Sequence, residues 1–186
     1  MMKVVGRAEF KLSGAVRVFN FDFKNKRVLD IGSSTGGFTE FAVKAGARTV
    51  VAVEKGSRQM KAPIRFDPKV ELHEQTNIFE FTDPEKFDVI LADVSFISLR
   101  PVLEYAKKEF ASKDTDFLVM LKPQFEAEKD ELDHGVVKNE HIRRRIIQDF
   151  ERWVKPAGFV IVNKHDNEVY GRQGNIERFY WLRLEK

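Results

Sequence analysis

Asp30, Glu54, Asp93 and Lys122 each end a short apolar run, and the first of them leads into the glycine-rich turn Gly32-Ser33-Ser34-Thr35-Gly36-Gly37-Phe38. A carboxylate, such a turn and a second carboxylate 24 residues later at Glu54 make the strand–turn–helix–strand pattern of a nucleotide site. Three ligand classes can be separated. A phosphate-cradling loop needs a lysine after its last glycine, and Phe38 stands there instead. A dinucleotide fingerprint needs a second glycine where backbone meets a pyrophosphate, and Ser34 takes that place. What remains is a cofactor with an amino-acid tail and no phosphates, S-adenosylmethionine. Its cationic sulfonium and ammonium are better served by the Asp30 carboxylate than by a bare helix N-terminus, which prefers anions. Glu54 stands where an acid accepts hydrogen bonds from both ribose hydroxyls. Asn77, in Thr-Asn-Ile-Phe, is either an adenine contact or a turn residue. Asp93 and Lys122 have opposite charges at the ends of two strands, which points to a site more than either does alone, since one ionisable residue there can be a surface cap.

These groups can meet only if the strands that carry them lie side by side. Short β-branched runs at 27–31, 49–53, 70–74, 87–93, 116–122 and 159–163, with a seventh at 177–184, alternate with helical patterns at 37–45, 99–110 and 142–154. That alternation predicts an α/β fold, a mostly parallel sheet with helices on both faces, whose ligands bind at the carboxyl ends of the strands. Pro123 biases Lys122 toward extended backbone. Ahead of the first strand, Ala8, Leu12, Ala15, Val16 and Phe19 repeat at helical spacing, so a helix carrying Lys11 should pack on the sheet. In the last helix Ile142, Ile146, Ile147, Phe150, Trp153 and Val154 share a face, and Arg143-Arg144-Arg145 is expected mostly off it, in solvent. The polar stretch 126–140 reads as a loop or lid.

With 186 residues, 42% of them hydrophobic and 33% charged, the chain is expected to form one domain over 1–186 with a core of its own. Zero cysteines exclude disulfides, thiol nucleophiles and cysteine-based metal sites. No apolar run reaches the roughly 18–20 residues of a membrane span, and Met1 to Leu12 has no signal-peptide core, so a cytoplasmic protein without a membrane partner is expected. Residues 1–27 hold seven bases against two acids, a charge of +5 within a total of +3. A basic N-terminal helix within 1–26 on a nearly balanced body suits a polyanion, or is merely a solvated face.

The segments RAEFKL, VLDIGSSTGGFTE, AVEKG, TNI, ADVSFISL, LKPQFEA, HGVV and GNIERF, in this order, cover nearly the whole chain. Together they resemble the TlyA hemolysin-like group of the FtsJ-type ribose 2′-O-methyltransferases. The resemblance implies a Rossmann-like seven-stranded S-adenosylmethionine-dependent fold and a Lys-Asp-Lys-Glu tetrad, which falls on Lys11, Asp93, Lys122 and Glu177. It also implies ribosomal RNA or a ribosomal subunit as partner, methylated at a cytidine 2′-hydroxyl. Such proteins carry an S4-type RNA-binding domain ahead of the methyltransferase, whereas only about ten residues precede Lys11, so the methyltransferase domain alone is expected here.

A ribose hydroxyl is a poor nucleophile, so a base must take its proton while the methyl donor is held in line. Lys122 is the expected base, and only a neutral lysine can serve. From a reference pKa near ~10.4, desolvation and the Lys11 cation lower it, while Asp93 and Glu177 raise it. Asp93 and Lys11 would orient the hydroxyl, and Glu177 would position the lysines; on its residues alone Glu177 reads as an edge-strand surface acid. Phe125 could stack on a splayed base or pack in the lid. Tyr170, Arg172 and Gln173 could touch phosphates or solvate a loop. Two rivals remain: a small-molecule or protein methyltransferase on the same fold, and a hemolysin-like protein that binds RNA or cofactor without turnover.

Overall fold

The computed structural model describes residues 6–167 and 174–185. Seven strands, β1 (Arg27–Ile31), β2 (Thr49–Val53), β3 (Val70–His73), β4 (Phe87–Ala92), β5 (Ala111–Leu121), β6 (Phe159–Asp166) and β7 (Arg178–Leu184), join one sheet of order β3-β2-β1-β4-β5-β7-β6. β1 to β5 pair in parallel, and β7 runs antiparallel between β5 and β6. This is the mostly parallel seven-stranded sheet expected from the sequence. The central strands read as continuous apolar runs because helices bury both their faces.

Alternation along each strand sorts the core into two layers. Val28, Val50, Val89, Leu91 and Leu118 face α1 (Arg7–Phe19) and α2 (Gly37–Lys44), packing with Leu12, Ala15, Phe19 and Phe41. Leu29, Val51, Ile90 and Phe117 face α3 (Leu99–Glu109) and α4 (Glu140–Val154), packing with Leu103, Ile147 and Phe150. Residues 126–140 form the expected connection, with a single-turn Lys129–Glu131 segment and an Asp133–Val136 bridge. Asn175 pins it, accepting from Val137 N at 3.1 Å and donating to Gly135 O at 3.1 Å.

α1 lies against the start of α2, with Glu9 fully buried and ion-paired to Lys44 at 3.0 Å. A Cβ on Gly37 would stand 2.7 Å from Ala8 Cβ and 3.0 Å from Glu9 N, so only glycine permits this close approach. Gly37→Ala is expected to force the helices apart and to cost about 1–3 kcal/mol, read as a lower urea midpoint. An unchanged midpoint would refute this account of the helix packing.

Two expectations about charge are corrected. Arg143 is not solvated: with Ile146, Ile147 and Phe150 at helical spacing it turns inward, is 7% exposed, and meets Asp166 at 2.7 Å and Ile176 O at 3.3 Å. Arg144 and Arg145 stay exposed as expected, in surface pairs with Glu140 and with Glu131 and Asp149. Nor do the bases of 1–27 make one face. Lys11 pairs with Glu177 just before β7, whereas Lys24 and Lys26 precede β1 at the opposite end of the sheet, and Arg27 pairs with Asp83 at 2.9 Å.

Candidate active site

Parallel register brings the first acids together. Ile31 pairs with Val53 on one side and Ala92 on the other, so Gly32, Glu54 and Asp93, each one residue later, stand abreast at the carboxyl edge. Hydrogen bonds carry the ladder past the strand ends, from Gly32 N to Val53 O at 2.9 Å and from Asp93 N to Ile31 O at 3.1 Å. Gly32 has φ +80°, and a Cβ there would lie 3.0 Å from the Asp93 carbonyl oxygen. The close approach made by this glycine is therefore to the end of β4 rather than to a ligand.

Lys122 follows β5 directly. Its Nζ lies 2.6 Å from Asp93 Oδ1 and donates to Ser95 Oγ at 2.9 Å. The antiparallel course of β7 supplies the fourth expected residue. Leu121 pairs with Arg178, so Glu177 is level with Lys122 at the same edge. Only 3% of its side chain is exposed; it forms an ion pair with Lys11 and accepts from Gln124 Nε2 at 3.3 Å. Lys11, Asp93, Lys122 and Glu177 thus converge as two ion pairs.

Beside them opens a cavity of about 1000 Å³, lined by Gly32, Ser34, Glu54, Asn77, Asp93 and Lys122, with an apolar wall that includes Phe79, Val94 and Val102. Glu54 is already engaged: Oε2 accepts from Ser34 N at 2.9 Å, and Oε1 from Gly56 N at 2.6 Å and Gln59 Nε2 at 3.3 Å. Asn77 is both turn residue and wall, its Oδ1 accepting from Phe79 N at 3.3 Å.

Asp30 lies behind the turn with no solvent exposure. Thr39 Oγ1 donates to its Oδ2 at 2.6 Å, while its Oδ1 and the Ser33 hydroxyl are buried without a hydrogen-bond partner among the described residues. Burial, helped by the carboxylates of Asp93 and Glu54 and opposed by the Thr39 bond, pushes the Asp30 carboxyl up to about 7. The cavity lining holds the carboxylates of Glu54 and Asp93 and the lysines Lys55 and Lys122, the latter paired to Asp93, with the Asp30 carboxyl buried behind the turn. Asp30 and Glu54 form no ion pair among the described residues, so the region suits a cationic ligand better than a phosphate.

Some expected cofactor residues lie elsewhere. Phe38 is 2% exposed and packs on Phe179 at 5.7 Å between ring centroids, because the second position of α2 points into the core rather than the cavity. Ser33, Gly36 and Gly37 shape the turn from behind and do not line the cavity. Phe125 is half-buried, its ring 5.1 Å from that of Phe96, which is 90% exposed. Tyr170, Arg172 and Gln173 lie outside the described residues. The sequence reading missed Ser95 and Gln124, each two residues beyond an expected site residue, and Gln59, whose link to Glu54 had no local signal.

Comparison with known proteins gives the family and the fold. The description of the FtsJ-like methyltransferase family matches residues 4–184. The 23S rRNA (cytidine-2′-O)-methyltransferase TlyA of Campylobacter jejuni is 35% identical over 95% of this chain and 70% of its own length. The 16S/23S rRNA (cytidine-2′-O)-methyltransferase TlyA of Mycobacterium tuberculosis is 39% identical over 97% and 69%. A solved hemolysin-type structure from Streptococcus thermophilus superposes with TM-score 0.93 at 29% identity, covering 100% of this chain and 69% of the other. The chain belongs to the FtsJ-like methyltransferase family.

Proposed function

We propose that the chain transfers a methyl group from S-adenosylmethionine to a ribose 2′-hydroxyl of ribosomal RNA, at cytidine. The observation that carries this reading is the Lys122–Asp93 pair at the mouth of the carboxylate-floored cavity, with Lys11–Glu177 beside it. The names of the relatives from Campylobacter jejuni and Mycobacterium tuberculosis support the acceptor. Asp30 and Glu54 fit the two ends of the cofactor: the buried Asp30 oxygen without a partner suits a cation, and Glu54 suits a diol once the Gln59 amide yields. Asn77 and the apolar wall suit a purine. When bound, S-adenosylmethionine supplies an electrophilic methyl group.

Once it has released its own proton to solvent, the neutral Lys122 Nζ would receive the proton of the 2′-hydroxyl, and Asp93 and Ser95 hold that nitrogen at the mouth. Lys11 stabilises the charge developing on the oxygen, and Glu177, steadied by Gln124, fixes Lys11. The exposed ring of Phe96, supported at its side by the tilted ring of Phe125, offers a face for a base lifted out of its stack. The test is to supply methyl-labelled cofactor with ribosomal subunits and with naked ribosomal RNA, then identify the nucleosides by mass spectrometry. Label in 2′-O-methylcytidine is expected. Label only on bases, or none on either RNA, would overturn the reading.

A further inference from the structure

The structure assigns a docking lip for the RNA backbone to Lys55, Arg58 and Lys61, on the loop that leaves β2 at the cavity mouth; this rests on the RNA reading above. All three side chains are exposed, and none has a carboxylate partner among the described residues. That sets them apart from the basic features most visible in the sequence. The arginines of α4 are consumed by Asp166, Glu140, Glu131 and Asp149, Lys11 by Glu177, and Lys24 and Lys26 face the other end of the sheet.

The loop holds its cations outward on a pinned backbone. Met60 and Ile64 are 3% and 7% exposed, packed with Ala52, and a Cβ on Gly36 would come within 2.9 Å of Ile64. Glu74 Oε1 accepts from Gln59 N at 2.8 Å, Gly56 O accepts from Gln75 N at 2.9 Å, and Arg65 reaches Glu74 at 3.1 Å. With the apolar residues anchored inside, Lys55, Arg58 and Lys61 are left facing solvent. Binding a polyanion then costs little ordering of the loop.

The field has two signs at one opening. Glu54 and Asp93 line the cavity, with Asp30 buried behind it, whereas the lip carries three positive charges without a carboxylate partner among the described residues. Phosphates are drawn to the lip rather than to these carboxylates, so a strand held along it presents its sugars toward Lys122. Phe66, 76% exposed at the far end of the loop, gives a base of that strand a stacking face.

The test measures binding of a fluorescent single-stranded oligoribonucleotide by anisotropy as a function of salt, so it does not depend on turnover. In Lys55→Gln/Arg58→Gln/Lys61→Gln the slope of log K against log salt should shrink by about 2, at about 0.7 for each phosphate that is no longer neutralised. Lys24→Gln/Lys26→Gln/Arg48→Gln, which removes equal charge at the opposite end of the sheet, should leave the slope unchanged. An unaltered slope in the lip variant, or equal losses in the two triples, overturns the lip. A wild type that binds RNA through the lip but methylates no ribosomal RNA sinks the activity and spares the surface.

Discussion

Lys122→Met is expected to slow RNA methylation by about 10²–10⁴-fold, the usual contribution of a positioned general base. Cofactor affinity should not weaken. The substitution leaves the Asp93 carboxylate without the ammonium that now lies 2.6 Å away, and an unpaired carboxylate beside the cavity attracts a cationic ligand more strongly. Lys122→Arg separates charge from proton transfer: it keeps the positive partner of Asp93 but cannot be deprotonated at working pH, so its activity should be as low as that of the methionine variant. Near-normal rates for Lys122→Arg would mean that the charge matters and the base lies elsewhere. Normal RNA methylation by Lys122→Met would remove the tetrad assignment altogether. A small-molecule or protein acceptor with its own good nucleophile would show little dependence on Lys122, so the same pair of variants discriminates the rival readings.

Much of this site was legible in the sequence for one reason: in a parallel sheet, residues that follow consecutive strands come out at the same edge. Glu54, Asp93 and Lys122 were found that way, and the register of β1 with β2 and β4 aligns the first two with Gly32. Glu177 was not, because β7 runs antiparallel and a local pattern cannot tell at which edge such a strand begins; only the long-range pairing of Leu121 with Arg178 sets it beside Lys122. On its residues alone it read as an exposed acid, and only resemblance to a family grouped it with the lysines. Phe38 misled for the converse reason: membership of a glycine-rich motif says nothing about which way a helix's second side chain points. Charge was the least legible property. The arginine run of α4 looked like a solvated face, yet Arg143 turns inward to Asp166 while Arg144 and Arg145 stay exposed in surface pairs, and the three scattered cations of the β2 loop drew no notice, since being unpaired is a property of the folded surroundings.

Cofactor affinity should rise with pH by up to about tenfold per unit below pH 7 and level off above it, because Asp30 must be ionised to hold a cation. Burial raises this carboxyl to about 7, so near pH 6 the free protein holds a proton that a bound cation would expel. The stability of the free protein should run the other way. Between about pH 4 and pH 7 the unfolded chain has released this proton while the folded chain keeps it, so folding loses on the order of 4 kcal/mol as pH rises through that window and nothing further above it. Asp30→Asn keeps an acceptor for Thr39 Oγ1 and cannot ionise. The variant should be more stable than the parent at pH 8, yet bind S-adenosylmethionine about 10–100-fold more weakly and with no pH dependence between 6 and 8. Opposite movement of stability and affinity is what distinguishes a buried carboxylate kept for a cation from one kept for the fold. Calorimetric titration at pH 6 in two buffers of different ionisation enthalpy counts the proton released on binding. A wild-type affinity that is flat from pH 6 to 8, with no proton released, would detach Asp30 from the cofactor and leave its burial to be explained by Thr39 alone.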